Sequence, residues 1–508
     1  MTMKIRWILG SRWSGTVALA CLGLCMTGTV LAREKAQTER LAHQESYDQF
    51  IVRYKEGTAT ASSDNLLRSS IDRAAARLSN ALGKSVSASK VRRMSGSSDV
   101  IRTSRLLDRV EAAMLMRQFA EDPDVVHVEP DLTISALADT NDPYFTAQWH
   151  LQGGVAANGT NAKFAWDTAI GTGIVIAIID SGFTAHPDLD PARIVPGYDF
   201  ITNTVIAKDG NGRDSDASDP GSYSQGIILE CPSELFCNTL GDSTWHGTRV
   251  AGVAAATGNN GYGGAGVAYG AKLMSVRVLG KGGRGKLSDL VDAIKWAGGV
   301  AAAGLPPLPA VANRPKVINL SLGFSTATAC SVELQNAINL AYAQGVTVVA
   351  AAGNSSSLSD SEPAKCENVI SVAATNNLGD RSDFSSYADW ITIAAPGGQG
   401  YDGDADDILT TSNSGWDGPI APNFYEAAGT SMSAPQVSGA VAILLSHAAA
   451  RGNCGLSPLQ IRSLLMNGAR PFPVAQPADK KIGAGILDIS HSLFEISRVC
   501  DVMIPPNP

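Results

Sequence analysis

Residues 174–182 read Ile174-Val175-Ile176-Ala177-Ile178-Ile179-Asp180-Ser181-Gly182: six apolar residues, all β-branched except Ala177, closed by a carboxylate, a hydroxyl and a glycine. A strand with one wet face alternates apolar and polar residues, whereas an unbroken Val/Ile run is what a strand covered on both faces requires. Similar runs recur at 272–278, 317–320, 346–352 and 369–373, and stretches with helical spacing lie among them at 246–256, 287–303, 331–344 and 432–450. Strands and helices in alternation predict an α/β fold: a doubly wound, mostly parallel sheet with helices on both faces. Chemistry in such sheets gathers beyond the carboxyl ends of the strands. The polar triplet that ends the first run is therefore the place to begin.

The 508 residues are 44% hydrophobic, enough for one large domain with accessory segments. Residues 1–32 carry Lys4, Arg6 and Arg12 ahead of an apolar stretch and end in Val30-Leu31-Ala32, where small residues suit a signal peptidase. They read as an export signal; Gly23, Thr27, Gly28 and Thr29 interrupt the stretch too soon for a membrane span. Six cysteines lie beyond it: Cys231, Cys237, Cys330, Cys366, Cys454 and Cys500. An even number in an exported chain implies disulfides, and of the many pairings six allow, neighbour pairing (231 with 237, 330 with 366, 454 with 500) is expected. Zinc would call for a CxxC or a nearby histidine pair, and neither is present.

Residues 33–137 differ in composition from the remainder of the chain, being rich in Arg and Ser and free of cysteine. They read as a small α+β module with strands at 47–54 and 125–130 and helical spacing at 66–82 and 104–120. A polar, breaker-rich stretch from Ser135 to Pro143 separates the module from the main body at 138–490, with a tail at 491–508. Residues 138–508 hold 21 basic and 33 acidic side chains, a net charge of −12. That balance argues against a nucleic-acid partner and for solubility outside the cell, with no membrane attachment once the leader is gone.

Beyond Asp180, a helical stretch opens with His246-Gly247-Thr248, 66 residues later, and another opens around Ser431 in Gly429-Thr430-Ser431-Met432-Ser433-Ala434-Pro435. Read plainly, Ser431 is a helix cap. Read with the other two, it is a nucleophile: a serine hydroxyl is weak at its own pKa, an imidazole takes its proton, and a carboxylate holds the ring in one tautomer and stabilises the imidazolium. A tetrahedral oxyanion also needs donors. The Ser431 amide at a helix N-terminus and Asn354, at the end of another strand, would supply them.

Asp180-Ser181-Gly182, His186-Pro187-Asp188-Leu189, His246-Gly247-Thr248, Ala351-Ala352-Gly353-Asn354 and 429–435 together resemble the subtilisin-like serine proteases, over roughly residues 140–490. The order Asp, His, Ser is the one known for subtilisin. The resemblance implies a secreted serine endopeptidase acting through an acyl-enzyme, with Asp180, His246 and Ser431 as triad and Asn354 in the oxyanion hole. It implies that Gly283-Arg284-Gly285 and Ser321-Leu322-Gly323 flank an extended peptide substrate, that Leu287 lines a distal pocket, and that Ala350, Ala351 and Gly353 wall the primary one. The acidity of Asp360-Ser361-Glu362 at that pocket's far end would favour basic side chains. A structural Ca2+ would be held by Asp142, Asp188, Thr257, Asn260, Tyr262 and Gly264, a set of hard oxygen donors. Residues 33–137 would be a propeptide that assists folding and inhibits the enzyme until self-cleavage near 135–139, leaving a monomer that acts on proteins and peptides. Arg249 departs from the pattern, since the family commonly has a second histidine there.

Three other features carry less. Gly280-Lys281-Gly282-Gly283-Arg284-Gly285-Lys286 has the spacing of a phosphate-binding loop, but Leu287 stands where the loop needs Ser or Thr. Asp209, Asp214, Asp216 and Asp219 fit no EF-hand spacing and read as a solvated acidic loop. Met432, next to Ser431, is an oxidation liability. Two rival functions fail on the sequence. An α/β-hydrolase esterase would show Gly-x-Ser-x-Gly and the order Ser, Asp, His, and an inactive binding relative would have lost a triad residue.

Overall fold

The computed structural model describes residues 35–503 apart from 39–40, 42–45, 96–97, 133–139, 154–157, 225–240, 326–328, 359–360, 401–405 and 452–453. The expected leader, the cleavage region and the Cys231–Cys237 pair lie outside the described residues. The chain divides into two compact units, residues 1–137 and 138–508.

In the first unit, β1 (Tyr47–Tyr54), β2 (Ala88–Arg93), β3 (Ser98–Leu107) and β4 (Val125–Pro130) form an antiparallel sheet in the order β2-β3-β1-β4. Helices α1 (Asp64–Leu82) and α2 (Arg109–Ala120) bury Leu67, Ile71 and Leu78 and Leu115 and Phe119 with the sheet's Phe50, Val52 and Ile101. The helix expected over 104–120 starts later. Leu107 still pairs with Tyr47 in the sheet, and Asp108 then caps α2 in a capping box with Glu111, which breaks strand from helix at one residue.

The second unit is built on seven parallel strands in the order β13-β12-β10-β8-β5-β7-β6. In chain order these are β5 (Val175–Asp180), β6 (Ile194–Asp199), β7 (Lys272–Arg277), β8 (Val317–Leu320), β10 (Thr347–Ala351), β12 (Val369–Thr375) and β13 (Ile393–Pro396); β9 (Phe324–Ser325) and β11 (Ser361–Glu362) form a two-residue ribbon. Strand β5 shows why its run has no polar residue before its end. Ile176 and Ile178 join one apolar cluster, while Val175, Ala177 and Ile179 join another on the opposite face. Helices α3 (His246–Ala255), α6 (Thr430–Ala450), α7 (Pro458–Gly468) and α8 (Ile489–Met503) contribute to the first cluster, and α4 (Leu287–Ala297) and α5 (Val332–Ala343) to the second. A hairpin of β14 (Ile408–Asn413) and β15 (Pro422–Ala427) leads into α6.

Two boundaries differ from expectation. Helix α4 ends at Ala297, because Gly298-Gly299 comes next and Gly299 takes a left-handed φ of 78°. The segment from 491 on is more than a tail: α8 buries Leu493, Ile496 and Cys500 in the main core, and a Cys454–Cys500 disulfide fastens it there with Cα atoms 5.6 Å apart. Cys330 and Cys366 are also joined, Cα atoms 5.2 Å apart, as neighbour pairing predicts.

His150 is fully buried, and neither ring nitrogen has a hydrogen-bond partner among the described residues. Burial alone pushes its pKa down to about 3. The unfolded chain therefore binds a proton that the folded chain refuses, and stability is lost as pH falls from the ordinary histidine value toward the folded one. In a Ser431→Ala background that prevents self-digestion, lowering the pH from 7.5 to 5 is expected to cost the protein about 2 kcal/mol more than it costs the His150→Gln variant. Parallel urea-unfolding curves at the two pH values would read this difference, and equal pH slopes would refute it.

Candidate active site

Asp180 is the last residue of β5 and has no exposed surface. A buried carboxylate is tolerated only when its oxygens are matched by donors. Here Oδ1 accepts the Ser181 amide at 2.7 Å and lies 2.8 Å from His246 Nδ1, with Oδ2 3.0 Å from the same nitrogen. A carboxylate can only accept, so Nδ1 carries the hydrogen and Nε2 is left as the basic nitrogen. His246 opens α3 directly after Trp245, a buried residue held at φ 51° whose indole donates to the Gly415 carbonyl at 2.7 Å. Gly247 is required beside it, because a Cβ there would collide with the Gly182 carbonyl. Ser181 links strand to helix: its hydroxyl accepts the Gly247 amide at 3.0 Å and donates to Asp219 Oδ2 at 2.8 Å. Asp219 is thus not part of a solvated loop; it is buried, and burial pushes it up to about 6. Asp209 of the same group pairs with the buried Arg277.

Ser431 is the second residue of α6, so its amide has no acceptor within the helix and its hydroxyl sits at the positive end of the helix dipole. The helix starts at Thr430, two residues before the expected 432, which draws Ser431 into its first turn. Gly429 precedes it at φ 140°, a value that favours glycine. Pro435 lacks the N–H that would have bonded the Ser431 carbonyl four residues back. The Ser321 hydroxyl takes that acceptor instead at 2.9 Å, and is itself held by Asn319 Nδ2 at 2.9 Å. Asn354 is oriented by the same turn. Its Oδ1 accepts from both the amide and the hydroxyl of Thr430 at 2.9 Å, which leaves Nδ2 as its free donor end.

His246, Ser431, Ser321, Leu322, Gly323 and Gly283 line one cleft of about 750 Å³. Among the described residues Ser431 and His246 share the wall of this cleft without a hydrogen bond between Oγ and the ring. Of the other sequence-predicted residues, Arg284, Gly285, Leu287, Ala350, Ala351, Gly353 and Asn354 are not on its lining; Ala350 and Ala351 are buried at the end of β10. The Gly353 amide donates to Thr430 Oγ1 at 3.2 Å. Glu362 does not offer a charge to a pocket as its sequence neighbourhood implied. It is buried, with one oxygen accepting the Ser331 amide at 2.9 Å and the other 3.8 Å from Lys365. Asp360 lies outside the described residues. Sequence reasoning missed Ser181, Thr430 and the hairpin side of the cleft, where Tyr425 stands against Arg249.

The residues expected to bind calcium do meet. Asp142 accepts the amides of Asn259 and Asn260 at 2.8 and 3.0 Å, and Asp188 accepts Asn260 Nδ2 at 2.9 Å and the Gly264 amide at 3.1 Å. The Thr257 amide donates to the Asp188 carbonyl at 2.7 Å, and the Tyr262 amide to Asn260 Oδ1 at 2.8 Å. Neither carboxylate has an ion-pair partner among the described residues, and burial, reinforced by Asp142, raises Asp188 to about 6. Two acids without an ion pair among the described residues, beside amide and carbonyl oxygens, fit a hard cation even with Arg193 near Asp188. The cluster of Cys330, Glu362 and Cys366, by contrast, is a disulfide beside a carboxylate whose oxygens are already used.

Residues 171–485 match the family model described as the subtilase family, a peptidase family. An extracellular protease of Xanthomonas campestris is 43% identical over 449 residues, which span 88% of this chain and 73% of that protein. An extracellular basic protease of Dichelobacter nodosus is 36% identical over 87% of this chain and 70% of its own length. In three dimensions a protease from Pseudoalteromonas arctica, 43% identical, superposes with a TM-score of 0.62 over 70% of this chain and 99% of that one.

Removing the Ser181 hydroxyl strands two buried partners, the Asp219 carboxylate and the Gly247 amide. Ser181→Ala is expected to cost about 1–3 kcal/mol in urea unfolding. A change within experimental error would mean that the link from strand to helix contributes nothing to the site's stability.

Proposed function

We propose, from the premise that the chain belongs to the subtilase family and is a serine endopeptidase, that Ser431 is its nucleophile, His246 the general base and Asp180 the residue that orients the imidazole. The observation that carries this reading is the Asp180–His246 pair at 2.8 Å, in the same cleft as a serine at the start of a buried helix. His246 Nε2 takes the Ser431 proton as Oγ attacks the peptide carbonyl, then returns it to the departing amine, leaving an acyl-enzyme that water hydrolyses. Negative charge on the tetrahedral oxygen is met by the Ser431 amide and by Asn354 Nδ2. Thr430 holds the amide group of Asn354 the right way round before substrate arrives. Gly283 and Ser321-Leu322-Gly323 supply the cleft wall along which the acyl part of the substrate lies extended.

Relatives named as extracellular proteases support secretion after loss of residues 1–32. Residues 33–137 act as a propeptide: a seven-stranded parallel sheet rests on non-local contacts and folds slowly, and a small preformed unit helps where self-cleavage must wait. Asp142, Asp188, Thr257, Asn260, Tyr262 and Gly264 hold a calcium ion. When bound, the ion neutralises the two carboxylates and ties the 257–264 loop to the chain's early residues.

Mass spectrometry of the protein treated with a fluorophosphonate tests the central assignment. Labelling is expected at Ser431 alone, and Ser431→Ala is expected to remain both unlabelled and uncut near 135–139; a label on another serine overturns the reading. Asn354→Leu is expected to lower kcat by about 10²–10³-fold on a neutral peptide with KM little changed. Chelation is expected to lower the Tm of the Ser431→Ala protein by on the order of 5 °C, reversed by added calcium. Asp142→Asn should abolish that response, and a Tm indifferent to chelator would remove calcium from this site.

A further inference from the structure

Arg249 lies three residues after His246 on α3 and lines the same cleft. Its guanidinium stands 3.8 Å from the centre of the Tyr425 ring, and its Nε donates to Ser412 Oγ at 3.3 Å. Both contacts are to the hairpin β14/β15, an element that lines the cleft separately from Gly283 and Ser321-Leu322-Gly323, and Arg249 contacts none of those residues. Its terminal nitrogens donate to no acceptor among the described residues, and no carboxylate there lies within ion-pair reach of it. Three acids also line the cleft, and none of them pairs with it. Asp407 accepts the Gln399 and Gly400 amides at 3.2 and 3.0 Å, and Asp242 and Glu426 are exposed to solvent.

A half-buried cation without a counter-charge is unfavourable where it stands, and partial loss of water lowers its pKa to about 10. The aromatic face of Tyr425 compensates in part. The remaining donors are a planar fork suited to a carboxylate. Residues three apart on a helix have Cβ atoms roughly 5–6 Å apart, and an extended peptide advances about 3.3 Å per residue. Arg249 is therefore within reach of the first or second residue past the bond that His246 serves. Resting on the peptidase reading above, which places the acyl part of the substrate along Gly283 and Ser321–Gly323, we infer that Arg249 is a specificity-determining residue on the leaving-group side, where it receives an acidic side chain or the terminal carboxylate of a short leaving peptide.

The test uses the mature enzyme and internally quenched peptides identical but for Glu or Gln at the first, and separately the second, residue after the cut. At one of the two positions Glu is expected to raise kcat/KM about fivefold to tenfold over Gln at low ionic strength, and 1 M salt is expected to shrink that ratio. Arg249→Met should bring the ratio to one or below and Arg249→Lys should retain part of it; because the readout is a ratio on one enzyme, changes in overall rate cancel. A wild type that prefers Glu nowhere, or a preference that survives in Arg249→Met, overturns the inference. If the Gln peptides are cleaved without a gain from Glu, only this inference fails; if no neutral peptide is cleaved, the peptidase reading fails with it.

Discussion

A carboxylate with no exposed surface organises this site. Asp180 ends a strand whose other residues are all apolar, so its charge has nowhere to go but to neighbouring donors. The Ser181 amide and the His246 ring meet it, and this fixes which nitrogen of the ring faces the cleft. Ser181 extends the arrangement into a second layer by joining the first turn of α3 to Asp219. The strand end, the helix start and a distant acid are thus held as one unit. The imidazole is positioned before any ligand arrives, which is the condition under which electrostatic stabilisation is most effective.

Most of this architecture was legible in the sequence because parallel strands buried on two faces leave an unmistakable apolar signature. The runs at 174–179, 317–320 and 369–373 fall in β5, β8 and β12, and the polar residues just past strands became the site. Other features were hidden for identifiable reasons. The start of α2 is set by a capping box that overrides a helical pattern running back into β3. The tail proved to be a helix because Leu493, Ile496 and Cys500 find partners in the main core, a packing that local sequence does not announce even with the 454–500 disulfide expected. Ser321 looked like part of a substrate-binding strand, and its hydroxyl serves the Ser431 carbonyl left open by Pro435. That role depends on a contact across 110 residues of sequence, which no local pattern encodes.

The acidic side chains teach the same lesson. By composition the chain carries a surplus of carboxylates, and sequence alone assigns one group of them to solvent, a pair to a metal ion and another to a pocket. In the folded chain they divide by surroundings: Asp219 is sealed beside Ser181, Asp142 and Asp188 meet at one loop with no ion pair among the described residues, and Glu362 is occupied by a helix-start amide and a lysine. What separates a surface acid from a ligand or a brace is the company it keeps, and that is decided by topology.

Helix α6 is buried along nearly its whole length, whereas the hairpin that feeds it displays Tyr425 and Glu426 to solvent. Drift in sequence is therefore free to act on one and not the other. A lineage built on this scaffold can alter the two-stranded ribbon freely, while Ser431 stays anchored in a part of the molecule where almost no replacement fits.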